Sequence, residues 1–493
     1  MRGSPVSCRK RTTCYPCPRV KPVIAFLAAI AGLWGTNPAL AQAPDDPTFG
    51  PRIVIEAIEI RGNDVTAERI IRRAIPVAPG DSLRVGDPRL DGIKLKVLAL
   101  GYFRNVEVAM RKGAERGAVI LVIAVQERGT VVLNRIYLGT TSATPYWFGA
   151  DLGDRNFLGT GVDVGGAYVY AGDSEVDGGD SQWAAQLRVG ASGMGGTPVG
   201  VHGAFTHVDA SEPYRVAGAA SDGDPDLFAA FGYTRTRGQG GIGLDVTALS
   251  NMAFDYRFER IDADVPVAPS RVREDGSISH VDLGLQDGVS HVSALSIGFD
   301  RDTRPDPILP FTGDRFTVIG EYGASWLGGD YDFGTVMARY ERWYPFARAQ
   351  HVLSFHLTGG LVLGEAPLFD RFYIGDINRL LSPRALGLVV STQPSLDLLG
   401  TAAEETTYGE VAGLAEVQYA YRLFRRGAPI YGGDLFVGAG VFGLATREQL
   451  RVRDTSLYRA LPLDLMFDVG LRLDTEIGIF ELTVANGLGR IPL

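Results

Sequence analysis

Hydrophobic and polar residues alternate through much of the chain after residue 131, and the stretch 463–474, LDLMFDVGLRLD, shows this most clearly. Its odd positions are all leucine, phenylalanine or valine, whereas its even positions include three aspartates and one arginine. Successive side chains of a β-strand point to opposite faces, so one face of this strand is apolar and the other is charged. Weaker copies of the pattern predict many further strands.

Strands with one apolar and one charged face favour a membrane-spanning antiparallel β-barrel, with lipid outside and water inside. The chain is 45% hydrophobic, yet no run after residue 41 reaches the roughly 18 apolar residues of a membrane helix. If the protein crosses a membrane, it therefore crosses with strands. Its 63 glycines, 23 phenylalanines and 19 tyrosines suit short strands and tight turns.

Residues 1–41 predict a secretory signal peptide. Six basic residues accompany the apolar stretch 23–34, and small residues at 39–41 or at 41–43 provide a cleavage site. All three cysteines of the chain fall in this segment, so the predicted mature protein has no disulfide. Removing the segment lowers the net charge from −9 to −15, which argues against a nucleic-acid partner.

Residues 42–51 predict a linker, and residues 52–127 predict a small mixed domain. Its predicted elements are a strand at 53–60, helices at 65–75 and 87–101, and strands at 103–110 and 118–125. Both helices have an apolar stripe, and Asp64 is the expected N-cap of the first.

This β-α-α-β-β order, together with the sequence LGYFRNVEV at 100–108, closely resembles the POTRA domain. POTRA domains offer an exposed sheet edge to unfolded proteins, so the resemblance implies that clients bind here by adding a strand. A structural plug or spacer is the alternative reading of the same segment.

The predicted barrel occupies residues 131–493. Two of its turns are similar to those of the bacterial surface antigen family, the BamA- and TamA-like outer-membrane barrels. The first, NFLGTG, contains Asn156, Phe157, Gly159 and Gly161, and the second, DRDTRPDPILPFTG, contains Asp302, Arg304, Pro310 and Gly313. The resemblance implies a transmembrane barrel of about 16 strands preceded by a single POTRA domain.

Loops are predicted at 210–236 and 265–290, and the longest non-strand stretch is 364–409. This stretch resembles the loop that enters the barrel lumen in the same family. Arg384 aligns with the motif arginine and Gly375 with the first motif glycine, and Gly387 ends the segment. Three other motif positions are altered, with aspartate, proline and alanine at 376, 383 and 385.

In the family, the loop arginine meets carboxylates on the two strands that follow. Glu416 stands at the first of these places, but Gly438 occupies the second. The resemblance therefore implies an Arg384–Glu416 pair with only one of the two usual acids. A guanidinium inside a lumen needs such a partner, and its planar fork fits a carboxylate. An exposed arginine in a surface loop is the alternative.

Fifteen strands can be counted where the resemblance implies sixteen. The last predicted strand, 479–488, is followed by only five residues, and the usual final strand with a terminal aromatic residue is not found. Either two strands are merged near 447–461, or the end is atypical or truncated, because single-chain bacterial barrels favour even strand counts.

Signatures of enzymes and metal sites are not found. The six histidines are scattered without metal-ligand spacing, and there is no G-x-S-x-G elbow, P-loop or dinucleotide fingerprint. We therefore expect no catalytic residue, no cofactor and no metal.

The resemblance implies an outer-membrane protein assembly and insertion factor or a protein translocator, with its POTRA domain in the periplasm. Its expected partners are unfolded outer-membrane or secreted proteins, outer-membrane lipids and periplasmic accessory proteins. The alternative is a passive outer-membrane pore or surface receptor that kept the architecture without the activity.

Overall fold

The computed structural model describes residues 52–485 apart from 85–86, 142, 192–196, 220–221, 248, 274, 307–308, 347, 374–384, 391, 393–407, 426–428, 452–462 and 476–477. The predicted signal peptide and linker lie outside these residues. Gly375, Arg384 and the end of the chain after residue 485 also lie outside them.

The N-terminal domain is a four-stranded sheet with two helices packed against it. Its elements are β1 Arg52–Arg61, α1 Glu68–Ala74, β2 Ser82–Arg84, α2 Pro88–Ala99, β3 Phe103–Lys112 and β4 Ala118–Glu127. The strand order is β2-β1-β4-β3, and Ile71 and Ile93 of the helices are buried against Ile123 of β4. This confirms the predicted POTRA-like domain. The structure also contains β2, which is not predicted from the sequence because three residues are too few to show an alternation.

The predicted N-cap of α1 is wrong. The helix begins after Ala67, whose side chain makes no capping hydrogen bond. The carboxylate of Glu127 at the end of β4 instead accepts hydrogen bonds from Val65 N (3.0 Å) and Thr66 N (2.7 Å), which sets the chain's path into the helix. A contact between residues so far apart in sequence cannot be seen in local spacing.

The rest of the described chain is almost entirely β-structure. Its strands are β5 Val131–Gly139, β6 Trp147–Asp154, β7 Val162–Ala171, β8 Gln182–Ala191, β9 Val199–Arg215, β10 Phe228–Thr247, β11 Ser250–Ala263, β12 Ser270–Val272, β13 Ile278–His280, β14 Gly288–Asp302, β15 Gly313–Gly323, β16 Phe333–Phe346, β17 Arg348–Gly364, β18 Phe372–Tyr373, β19 Tyr408–Gly409, β20 Val411–Arg425, β21 Ile430–Ala445, β22 Leu463–Thr475 and β23 Gly478–Ala485.

Fifteen of these strands form one antiparallel sheet that runs from β5 to β23, while β12 pairs with β13 and β18 with β19 in separate hairpins. The two ends of the sheet adjoin, since a Cβ at Gly478 of β23 would collide with the carbonyl oxygen of Leu133 in β5. The sheet is therefore a nearly closed barrel, which confirms the predicted fold of about 16 strands.

The two faces of the barrel wall differ as the sequence predicts. On β22, Met466 and Asp468 point inward and are buried, whereas Val469 points outward and is 52% exposed. Leu482 on β23 is likewise 74% exposed on the outer face. Buried charged side chains thus lie inside the barrel together with apolar ones such as Met466, whereas exposed apolar side chains cover its outside.

The loop predicted at 210–236 is wrong in its extent. β9 continues to Arg215 and β10 begins at Phe228, which leaves a connection at 216–227. Pro213 lies within the paired part of this hairpin, opposite Ala230. Pro213 and the acidic residues before it interrupt the hydrophobic–polar alternation by which a strand is recognised in the sequence. Pairing with the long strand β10 nevertheless keeps this part of β9 extended.

Among the described residues, no helix is long and apolar enough to cross a membrane.

Candidate functional site

Charged side chains of neighbouring strands meet inside the barrel on β10 and β11. Arg235 and Arg237 lie on β10, and Glu259 of β11 stands opposite Arg237 in the strand register. Arg235 Nε is 2.7 Å from Glu259 Oε1, and Arg237 Nη2 is 2.8 Å from Glu259 Oε2. Glu259 is only 1% exposed, so guanidinium groups replace water around its carboxylate.

Arg257 of β11 extends these contacts to two further segments. Its Nη1 is 2.8 Å from Glu259 Oε2, and its Nη2 is 2.6 Å from Glu321 Oε1 on β15. Its Nη1 is also 3.0 Å from Asp370 Oδ1, which belongs to the short 3-10 turn Leu368–Asp370 after β17. We call this group the lumen charge cluster; it consists of Arg235, Arg237, Arg257, Glu259, Glu321 and Asp370.

The lumen charge cluster contains three arginines and three carboxylates, so its formal charges balance. Transfer of an ion out of water costs several kcal/mol, and short, well-aligned contacts with opposite charges offset that cost. Loss of one partner from such a buried group leaves an uncompensated charge and destabilises a protein by about 3–5 kcal/mol. The cluster therefore fixes the position of whatever segment supplies Asp370.

That segment is the beginning of the loop 365–410, whose described residues contact the inner wall of the barrel. The guanidinium carbon of Arg235 lies 4.2 Å from the ring centre of Phe369, and the same ring is 4.6 Å from that of Tyr233. Tyr408, near the end of the loop, donates a hydrogen bond to Glu212 on β9. Both ends of the loop are thus bonded to the inner wall, and the β18–β19 hairpin joins them to each other.

Residues 385–390 of the loop pack inside the barrel against the wall. The Tyr233 hydroxyl donates to the carbonyl of Gly387 (3.3 Å), and Thr141 Oγ1 donates to that of Val390 (2.7 Å). Gly387 has φ +92°, a conformation that favours glycine, and Leu388 is fully buried. This part of the loop therefore occupies the lumen.

Glu416 lies on β20, and the glycine at the second family position, Gly438, lies on the adjacent β21. Asp468 of β22 stands directly opposite Gly438 in the register. A Cβ at Gly438 would collide with Asp468 Oδ1 and would lie 2.9 Å from Glu416 Oε1. Both carboxylates thus converge on the space that the glycine leaves open. Asp468 is 4% exposed, and its Oδ1 has no hydrogen-bond partner among the described residues.

The second turn motif connects β14 to β15. Arg304 binds the carboxylate of Asp302 through two parallel contacts, Nε to Oδ1 at 2.8 Å and Nη2 to Oδ2 at 2.6 Å. Its guanidinium carbon lies 5.1 Å from the ring centre of Trp343. Pro310 is buried, and Gly313 has φ +100°. A Cβ at Gly313 would be 2.9 Å from Arg304 Cα, so the motif residues enclose one compact turn.

The first turn motif connects β6 to β7 and touches the N-terminal domain. Asn156 is buried, and its Nδ2 donates a hydrogen bond to Thr66 Oγ1 at 2.9 Å. Gly159 and Gly161 both have positive φ, at +71° and +74°. Phe157 is partly exposed on the turn.

No group of three or more histidine, cysteine, aspartate or glutamate residues is arranged to hold a metal ion in the part of the chain that the structure describes.

Comparison with protein families identifies the architecture. A model described as the Omp85 superfamily domain matches residues 156–487. The chain belongs to the Omp85 superfamily. A second model, the surface antigen variable number repeat of the POTRA family, matches residues 53–128.

Individual relatives of this Omp85 protein are distant. The outer membrane protein assembly factor BamA of Nitratidesulfovibrio vulgaris is 23% identical over 341 residues, which are 67% of this chain. The match spans only 37% of the length of that relative.

Solved structures share the fold of this Omp85 protein. CdiB from Escherichia coli has a TM-score of 0.57 at 11% identity, with 88% of this chain and 72% of that chain covered. BamA from Haemophilus ducreyi lacking POTRA domains 1–3 has a TM-score of 0.50 at 15% identity, with 88% of this chain and 80% of that chain covered.

The Omp85 barrel lies in the outer membrane with the POTRA domain in the periplasm, as the sequence predicts. Because only three residues separate β4 from β5, the first residue of β5 marks the periplasmic end of the barrel. Strand alternation then places the two motif turns, 155–161 and 303–312, at the periplasmic end. The loop 365–410 starts from the opposite end.

Sequence reasoning missed most of the lumen charge cluster. Arg235 lies within the loop predicted at 210–236, and Asp370 lies within the non-strand stretch predicted at 364–409. The available signal was the run Arg235, Arg237, Arg257 and Glu259, which are all odd-numbered positions on two long strands joined by a tight turn. Their pairing depends on the strand register, which the alternation does not specify.

Proposed function

We propose that this Omp85 protein inserts other proteins into the outer membrane or translocates them across it, and that its POTRA domain binds these clients. The observation that carries the proposal is a sheet with a free edge joined to an Omp85 barrel by only three residues, 128–130. The matched relative is named as an assembly factor, which supports the same reading. The proposal includes no enzymatic step.

The client-binding element in this proposal is the outer edge of β3. Within the described residues, β3 pairs on one side only, with β4, so backbone N–H and C=O groups on its other side remain available to an added strand. Met110 on β3 is 48% exposed and offers an apolar contact beside this edge. When a strand is added at such an edge, the affinity comes from main-chain hydrogen bonds. Clients of different sequence can therefore bind in the same way.

Depletion of the protein tests the function directly. Quantitation of outer-membrane and secreted proteins should then show a selective fall in barrel proteins for an insertion factor. Loss of a secreted substrate would indicate translocation. A change confined to solute permeability would contradict the proposal and identify a passive pore. Lipids, periplasmic accessory proteins and the clients themselves are the proposed partners.

The β3 edge has its own test. A photoactivatable cross-linker attached at Met110→Cys should capture client proteins in the periplasm. The same label at Arg89→Cys on α2, which is also exposed, should capture far fewer. Equal capture at both positions would exclude the β3 edge as the binding element. All three native cysteines lie at positions 8–17, so each engineered cysteine is unique after signal cleavage.

We also propose that Arg384 enters the lumen and binds Glu416 together with Asp468. Family members have a second carboxylate at the position of Gly438. In this chain Asp468, on the next strand, would replace it by reaching through the space that the glycine leaves open. Two converging carboxylates, one of them buried with an unpartnered oxygen, favour a cationic partner. A guanidinium supplies enough donors to satisfy both.

Arg384→Ala, Glu416→Gln and Asp468→Asn test this pair of contacts. Each should lower the temperature at which the folded barrel unfolds in detergent, and Arg384→Ala should add little once both acids are neutralised, since coupled partners are not additive. If Arg384→Ala leaves both heat resistance and client assembly unchanged, the inward arginine is wrong.

A further inference from the structure

The side chain of Asn156 bridges the barrel and the POTRA domain. Its Oδ1 accepts a hydrogen bond from Gly161 N (2.8 Å), which closes the turn, and its Nδ2 donates to Thr66 Oγ1 (2.9 Å) in the POTRA domain. Asn156 is 1% exposed and Thr66 is also buried. Removal of either partner would leave the other group buried without a hydrogen bond, which disfavours the docked arrangement of the two domains.

The same turn has glycines, which carry no side chain, at the positions where the POTRA domain contacts its backbone. Ala67 N, just before α1, donates to the carbonyl of Gly159 at 3.0 Å. A Cβ at Gly159 would collide with the carbonyl oxygen of Val65, and one at Gly161 would lie 2.9 Å from Ile70 Cδ1. These glycines therefore serve the contact between domains in addition to the turn itself.

The POTRA segment that meets the turn is held from its own side as well. Glu127 accepts hydrogen bonds from Val65 N and Thr66 N, which stabilise the conformation of the residues facing the turn. Glu127 is also the last residue of β4, immediately before the linker. Arg155 N, from the barrel turn, donates to the linker carbonyl of Thr130 at 3.0 Å. Linker, turn and POTRA segment thus form one continuous contact.

We infer that the turn 156–161 is a docking site that fixes the POTRA domain in a single orientation at the periplasmic mouth, with the Asn156–Thr66 hydrogen bond as its central contact. A three-residue linker alone permits rotation about its backbone dihedrals, and the docked turn removes that freedom. The edge of β3 is then presented at a constant place relative to the lumen. The inference concerns the two domains of this chain and holds whichever protein the domain binds.

Distances between two spin labels on the full chain in nanodiscs test this docking. One label is placed at Arg89→Cys in the POTRA domain and the other at Trp326→Cys, an exposed residue outside the barrel strands. The intact protein should give one narrow distance distribution. Asn156→Ala and Thr66→Val should each raise the undocked fraction roughly tenfold, the expected effect of losing one buried hydrogen bond, and should broaden the distribution.

Thr160→Val is the matched control, because the hydrogen bond of Thr160 Oγ1 lies within the turn and goes to the carbonyl of Phe157 (2.6 Å). It should leave the distribution narrow. Thr66→Val lies outside the barrel, so its effect cannot come from a misfolded turn, and heat resistance of the barrel should be unchanged. A narrow distribution in both Asn156→Ala and Thr66→Val, or equal broadening in Thr160→Val, would overturn the inference.

Discussion

Glu259 shows how much of the lumen depends on single side chains. Its two carboxylate oxygens are shared among Arg235, Arg237 and Arg257, all within 2.8 Å. The exposed ion pair between Arg260 and Asp262 lies on the same strand and has a similar separation of 2.7 Å. The two sites differ in burial, and burial decides their energetic weight.

Glu259→Gln should therefore lower the free energy of unfolding by about 3–5 kcal/mol, because three guanidinium groups, two of them buried, would lose a shared counter-charge. Asp262→Asn removes one carboxylate from the same strand and should cost about 0–1 kcal/mol. Urea unfolding of the two variants in detergent compares them directly. Equal losses would show that burial of the cluster does not determine its contribution.

At this scale, the sequence predicts which face a residue occupies better than it predicts its partner. Arg315 and Thr317 alternate with Phe316 and Val318, so their inward direction follows from spacing alone. The contact between Arg257 and Asp370 joins residues more than a hundred positions apart, and only the folded loop brings them together. Asp468 illustrates the same limit, since its proximity to Glu416 requires the register of three strands.

Among the elements, the 303–312 turn depends on one backbone conformation. Gly313 begins β15 with φ +100°, and a side chain there would press on Arg304. Gly359 on β17 is a barrel glycine with open space around it, because a Cβ there would have no atom within 4 Å. The same substitution thus has different consequences in the two strands.

Gly313→Ala should destabilise the barrel by about 1–3 kcal/mol, the cost of holding a non-glycine residue in this region of the Ramachandran map. Gly359→Ala should be neutral or slightly stabilising, because alanine restricts the unfolded chain without straining the folded one. Midpoints of thermal unfolding in detergent measure both. Similar midpoints for the two variants would contradict the strain argument.

Most strands could be predicted because a half-buried strand must alternate. The strand ends that extend beyond the predicted ones, such as 210–215 of β9, do not alternate and are held by pairing alone. The three-residue β2 also escapes a pattern that needs several positions. Turn motifs can be recognised in the sequence, but the docking of one of them on the POTRA domain cannot.

For the molecule as a whole, the described residues of the loop 365–410 occupy part of the lumen. Asp370 joins the start of the loop to the buried lumen charge cluster, whereas Asp282, which contacts Arg371 of the same loop at 3.3 Å, is highly exposed. The first contact holds the loop inside the barrel, and the second lies in solvent where ion pairs contribute little.

Asp370→Asn should release the loop from the wall and increase the frequency of open-channel events in planar bilayers. Asp282→Asn, with the same chemical change at a neighbouring contact, should behave like the unmodified protein. Conductance recordings of both variants would distinguish a buried anchor from a general effect of charge. An unchanged record for Asp370→Asn would show that other contacts alone retain the loop.

The position of the POTRA domain should depend on pH through Glu127. Burial by itself would raise the pKa of Glu127, but the hydrogen bonds from Thr66 and Val65 outweigh it and lower the pKa below its ordinary value of 4.5. Because the pKa is lowered, the carboxylate stabilises the docked segment fully at pH values above 4.5. This stabilisation is lost as the pH falls through the lowered pKa.

The spin-label distance distribution should accordingly broaden when the pH of the sample is lowered below the usual pKa of a glutamate side chain. Glu127→Gln should remove this pH dependence, because the amide does not titrate. A distribution that broadens equally in Glu127→Gln would assign the effect to another group.

The apolar rows on the outer wall have one more consequence. Side chains such as Val469 and Leu482 would meet water throughout synthesis and transit, until a bilayer surrounds them. A newly made copy therefore carries an apolar surface that must be shielded from water until it reaches the outer membrane, and this shielding is a requirement of its own assembly.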